Sequence, residues 1–291
     1  MDILTNYTFQ IVALGSVLLA VAAAPVGAFS VYKGQSLIGD AIGHSTFPGI
    51  ILAYMAFATR SPVILLAGAI LAGAASYALI QLAHRDKRLG LDANLAIFLS
   101  GFFGLGMALK SFIQGNPDYA GASQAGLGTY IFGQAAYMLE ADVLLIAAIS
   151  ALVLTLLLLF YKELKLFVFD AEYAEVVGLP CRLLNLLLLV MTIAVIGIGI
   201  KAVGAILISS FLIIPCVAAN QWSNNFVRVL LLSSLIGAVS ALVGTYISTL
   251  EQGMSTGPSI ILVASLIAFF SIVFGTKGIL GSVLKRRHAH G

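Results

Sequence analysis

Charge is scarce in this chain: Asp, Glu, Lys and Arg make up 9% of its 291 residues, while 60% are hydrophobic. A soluble globule of this size carries about a quarter charged residues, so a water-exposed fold is excluded and an integral membrane protein is expected. Cysteine is nearly absent too. Cys181 and Cys216 lie in apolar surroundings without CxxC spacing, which argues against a disulfide framework and a structural zinc site; both read as packing residues. No GxxxxGK[ST] phosphate loop occurs, and no Ser/His/Asp or Cys/His set stands at suggestive spacing. The chain is therefore not expected to be an enzyme. The N-terminal MDILTNYT lacks Lys and Arg, and the apolar run after it is longer than a signal-peptide core, so it reads as a first span that is retained. A net charge of +3 says little about partners, and no nucleic acid is expected among them.

What the chain has in abundance is apolar runs near the roughly 20 residues that a helical span requires. They run from Phe9 to Tyr32, Leu37 to Ala58, Val63 to Ala83, Ala93 to Phe112, Ala141 to Tyr161, Leu183 to Ile200, Val203 to Ala219, Phe226 to Thr245 and Ile260 to Phe274. The fold class expected is all-α, a polytopic membrane protein of about nine transmembrane helices, with eight or ten as alternatives. The break near Lys201 is placed because Leu183 to Ala219 is far too long for one span. A polar connector from Gln114 to Gln134 is too hydrophilic to cross. Lys162 to Arg182 mixes charge with apolar residues and stops at Gly178 and Pro180, which predicts a short amphipathic helix lying beside the membrane.

Lys and Arg accumulate in short cytoplasmic loops. With nine spans and the N-terminus outside, twelve of the fifteen basic residues fall inside: Lys33, Arg85, Lys87, Arg88, Lys162, Lys165, Arg182, Arg228, Lys277, Lys285, Arg286 and Arg287. The C-terminus is then cytoplasmic. Small-residue stretches at Gly68 to Ser76 and Gly101 to Gly106 suit close helix packing in lipid. Pro25, Pro48 and Pro215 fall within spans, where neighbours or water must meet the lost backbone hydrogen bonds.

The stretch GDAIGHSTFPG, Gly39 to Gly49, carries an ionisable pair inside a span. Such residues are expensive in lipid and mark functional sites by default. Asp40 and His44 stand four apart, on one face of a helix. A plainer account has Asp40 capping a helix that starts near Ala41, with His44 as a satisfied core residue, but capping gives no reason for the histidine. Carboxylate oxygen with imidazole nitrogen suits manganese, iron or zinc better than magnesium or calcium, and the lack of thiolate argues against copper(I). Two ligands are too few for any of these ions, so a symmetric dimer presenting two copies of the pair is expected. Glu140, Asp142 and Glu251 read as loop carboxylates, and the terminal KRRHAHG as a basic end that fixes orientation.

Several stretches together resemble the permease subunits of bacterial metal-importing ABC transporters of the manganese, zinc and iron family. They are KGQSLIGDAIGHSTFPGIILAY (Lys33 to Tyr54), AGLGTYIFGQAAYM (Ala125 to Met138), FDAEYAEVVGLPCRLLN (Phe169 to Asn185) and KAVGAILISSFLIIPCVAA (Lys201 to Ala219). The resemblance covers nearly the whole chain, as one permease domain over 1–291. It implies a type II importer-like fold in the bacterial cytoplasmic membrane, with a second copy of the chain, cytoplasmic ATPase subunits that bind ATP, and an extracytoplasmic metal-binding protein. It implies that Asp40 and His44 lie on the metal path. It also implies that about 169–180 is a coupling helix for the ATPase, presenting Phe169, Asp170, Glu172, Tyr173, Glu175, Gly178, Leu179 and Pro180. No permanently bound cofactor is implied; the metal is cargo. The connector looks more like manganese and iron members than zinc ones. Competing readings are a gradient-driven secondary metal carrier, which should carry more buried acids, and a non-transporting membrane scaffold, which leaves Asp40 and His44 without purpose.

Overall fold

The computed structural model describes residues 6–59, 61–84, 90–116, 119, 138–250 and 254–280. Among them it contains eleven helices and no strand: α1 (Tyr7–Tyr32), α2 (Ile38–Phe57), α3 (Pro62–His84), α4 (Leu91–Gly115), α5 (Glu140–Leu159), α6 (Tyr161–Phe169), α7 (Ala171–Val176), α8 (Cys181–Val203), α9 (Ala205–Asn220), α10 (Phe226–Leu250) and α11 (Thr256–Phe274). The nine expected runs each become a helix. Among the described residues, seven of these are long and apolar enough to cross a membrane. The other two are α2, diluted by Asp40 and His44, and α9, which has 16 residues.

α1 is apolar on every side and lies at the centre, packed by α5, α8, α9 and α10. Its run of small residues, with Ala20, Ala22, Ala23 and Ala24 fully buried, lets neighbouring backbones approach closely, as packing in lipid favours. Pro25 removes the donor that would have met the Val21 carbonyl. Ser234 of α10 replaces it with a 3.3 Å hydrogen bond.

α2 packs mainly on α3 and α4 and then on α9. The α2–α3 crossing is glycine on glycine: a Cβ at Gly49 would overlap the Gly68 carbonyl, and one at Gly68 would overlap that of Gly49. Beside it Ser45 Oγ donates to Ser76 Oγ at 2.7 Å. α9 is the junction of the molecule, touching α1, α2, α8, α10 and α11. The expected break near Lys201 falls three residues later. α8 continues to Val203, and the chain turns at Gly204 with φ 92° and ψ 157°, a conformation open in practice to glycine alone.

Candidate metal site

α2 begins at Ile38 with Leu37 as N-cap, and no side chain caps it. Asp40 therefore sits inside the first turn, not at the cap that would have explained it without a function. The helical period brings His44 above it, with Nε2 3.5 Å from Asp40 Oδ1. Ligand bonds of about 2.0–2.2 Å to one ion from atoms 3.5 Å apart would subtend roughly 110°. That separation is compatible with one transition-metal cation between oxygen and nitrogen. The Asp40 and His44 side chains are 30% and 13% exposed, a setting drier than bulk water in which charge interactions are strengthened.

Two other helices complete the surroundings. Phe103 of α4 meets the His44 ring edge to face at 4.9 Å, and Ser209 of α9 donates from Oγ to Asp40 Oδ1 at 2.9 Å. Sequence reasoning missed both, although the serine lies in the KAVGAILISS stretch that carried part of the resemblance. His44 Nδ1 is buried without a hydrogen-bond partner among the described residues. Pro48 lies within a continuous α2 and supplies no donor to the His44 carbonyl one turn back. Among the described residues no group of three or more His, Cys, Asp and Glu stands together.

The segment at 169–180 is built differently from the single helix expected. α6 stops at Phe169, and Asp170 (φ −151°, ψ 85°) caps α7 by accepting from the Tyr173 amide at 2.9 Å. An extended aspartate between two helical stretches explains the division, since Asp favours N-caps over helix interiors. α7 then closes with a Schellman turn: Leu179 N donates to the Ala174 carbonyl and Gly178 N to that of Glu175, each at 3.0 Å, with Gly178 at φ +87°. Pro180 follows as the N-cap of α8. Ala174 is buried underneath, while Phe169, Glu172, Tyr173, Glu175 and Val177 are exposed and Val176 is 84% exposed. The result is a short acidic-apolar knob.

Its base is anchored by aromatic rings. Phe226, at the start of α10, packs edge to face against Phe169 at 5.2 Å, Tyr32 at 5.1 Å and Phe29 at 5.0 Å. Nearby, Lys33 donates from Nζ to Asn185 Oδ1 and sits over the Phe167 ring at 4.8 Å.

The weaker candidates have structural roles. Asp142 accepts from the Leu139 amide at 2.9 Å and caps α5, and Glu140 Oε1 accepts from the Tyr7 hydroxyl. Glu251, most of the connector from Gln114 to Gln134, and the KRRHAHG terminus lie outside the described residues.

Residues 5–275 match the family described as the ABC 3 transport family. The chain is 39% identical over 288 residues to the zinc transport system membrane protein TroC of Treponema pallidum (strain Nichols), covering 99% of this chain and 96% of that protein. It is also 39% identical over 268 residues to the manganese transport system membrane protein MntC of Bacillus subtilis (strain 168), covering 92% of this chain and 61% of that longer protein. Among solved structures, a chain of PsaBC from Streptococcus pneumoniae in complex with Fab shares the fold with a TM-score of 0.83 at 26% identity, over 94% of each chain. A match running almost from end to end, in sequence and in helix arrangement alike, means that this chain belongs to the ABC 3 transport family and is a multi-pass membrane permease of the ABC type.

Proposed function

We propose that the chain is the permease subunit of an ATP-driven importer that carries a divalent transition metal across the bacterial cytoplasmic membrane, passing it by Asp40 and His44. The observation that carries this reading is the 3.5 Å separation of a carboxylate oxygen and an imidazole nitrogen one turn apart on α2. Two such chains, each giving one pair, would provide four ligands and a pathway on the shared axis. ATP hydrolysis belongs to separate cytoplasmic ATPase subunits docked on the knob at 169–180. An extracytoplasmic metal-binding protein delivers the ion from the other side, and the N-terminus lies outside.

Alternating access exposes the pair to each side in turn. A transport site must release its ion, and among the described residues this one lacks the second-shell hydrogen bond that normally locks a ligating histidine from its other nitrogen. Manganese is favoured, followed by zinc or iron. Equal identity to a relative named for zinc and one named for manganese supports the class of cargo more than the choice within it.

In cells depleted of metal and resupplied with Mn2+, Zn2+ or Fe2+ singly, the wild-type chain with its ATPase should restore growth for the cognate ion. Asp40→Ala and His44→Ala should abolish accumulation of that ion while the protein stays in the membrane and bound to the ATPase. Normal uptake by either variant refutes the site.

A further inference from the structure

Ser209 lies 169 positions along the chain from Asp40 and is 4% exposed, yet its hydroxyl meets the carboxylate at 2.9 Å. That contact is set by backbone packing. One turn further along α9, Leu212 is wedged between two glycines. A Cβ at Gly27 of α1 would overlap the Leu212 carbonyl, and one at Gly39 of α2 would come within 2.8 Å of Leu212 Cδ1. Residues three apart share a helix face, so the seating of Leu212 fixes the height at which Ser209 faces the first turn of α2. Asp40 Oδ1, the atom Ser209 holds, is also the oxygen nearest His44 Nε2.

We propose that Ser209 is a positioning residue for the transported cation, holding Asp40 Oδ1 turned toward His44 and thereby setting the affinity of the site. The proposal rests on the metal-path reading above. Outer-shell hydrogen bonds to ligands orient them and tune their binding. Among the described residues the histidine has no such partner on Nδ1, so orientation of the pair falls to the carboxylate and its serine. Because Ser209 arrives on α9, whose start is a glycine turn, movement of α9 away from α2 would release the carboxylate and weaken the site.

The test measures Mn2+ uptake, and Zn2+ uptake in parallel, by the full chain with its ATPase in cells, comparing wild type with Ser209→Ala, Ser209→Thr, Ser209→Val and Asp40→Ala. Loss of the hydroxyl in the alanine variant should raise KM about tenfold, the low end of what outer-shell changes cost, with the maximal rate within about twofold. Thr and Val have nearly the same shape, so if the alanine variant fails to accumulate, a lower KM for Thr than for Val still isolates the hydroxyl. Unchanged KM in Ser209→Ala, with uptake abolished in Asp40→Ala, overturns this inference and leaves the metal site standing. Equal KM for Thr and Val, or a fall in maximal rate alone, also overturns it. Normal uptake by Asp40→Ala would instead remove the metal-path reading on which it rests.

Discussion

Lys33 illustrates how one residue takes on a different meaning when its neighbours are known. As sequence it counts among the basic loop residues that orient the chain; in the structure it is partly buried at the end of α1, against Phe167 and Asn185. Burial pushes its ammonium down from the usual 10.5 to about 8. A lysine whose folded pKa lies below its unfolded one weakens the fold while protonated, and stability rises as pH climbs from the folded toward the unfolded value. Thermal melts of the full chain in detergent should therefore show relative stabilisation between pH 8 and 10.5. Lys33→Met, which keeps the length and removes the charge, should lack that rise and be no less stable than wild type at pH 7. An equal rise in the variant would assign the effect to other groups. Asp40 and His44 show the opposite case: a spacing of four residues contained nearly all that was needed, because one turn of helix suffices to bring them together.

Among the elements, α2 and its neighbours depend on close backbone approach. Gly68→Val would force apart the glycine crossing of α2 on α3. Overpacking of this kind costs about 1–3 kcal/mol, and melts should drop while metal uptake falls, since α2 carries the pair. At the knob, Gly178 holds φ +87°; Gly178→Ala should cost about 1–2 kcal/mol locally and loosen α7, read as faster amide exchange at Glu175 to Leu179. The exposed Glu172 and Glu175 are where the proposed docking is tested. Exchanging both for Lys should reduce copurification of the ATPase or uncouple hydrolysis from transport; unchanged copurification and transport would mean the knob is merely interfacial. The existence of an amphipathic element here was legible from mixed charge and apolar residues ending at Gly178 and Pro180. Its division at Asp170 was not, because a residue that caps a helix when its backbone is extended is tolerated within one when it is not.

For the whole molecule, α9 links the two regions that matter most. Near its start Ser209 reaches Asp40, and at its end Asn220 Oδ1 accepts from the Tyr32 hydroxyl at 3.0 Å. Tyr32 in turn packs on Phe169, with ring centroids 5.4 Å apart. α9 thus meets Asp40 near one end and, through Tyr32, the base of the knob at the other. If two chains share one ion, titration of the purified full chain with the cognate metal should saturate near half an equivalent per chain. One equivalent per chain would mean that each permease completes its own site.

Hydropathy alone determined the all-helical membrane fold and the position of the nine apolar helices among the described residues, because hydrocarbon thickness imposes a length that is read along the chain without reference to anything distant. The polar pair on α2 was equally local. Tertiary structure decided what those helices do to one another: the turn at Gly204 rather than at Lys201, the burial of Lys33, and the meeting of Ser209 with Asp40. Each depends on side chains far apart in sequence and on the register of glycine-lined helix crossings, and a one-dimensional pattern does not encode which helix lies beside which.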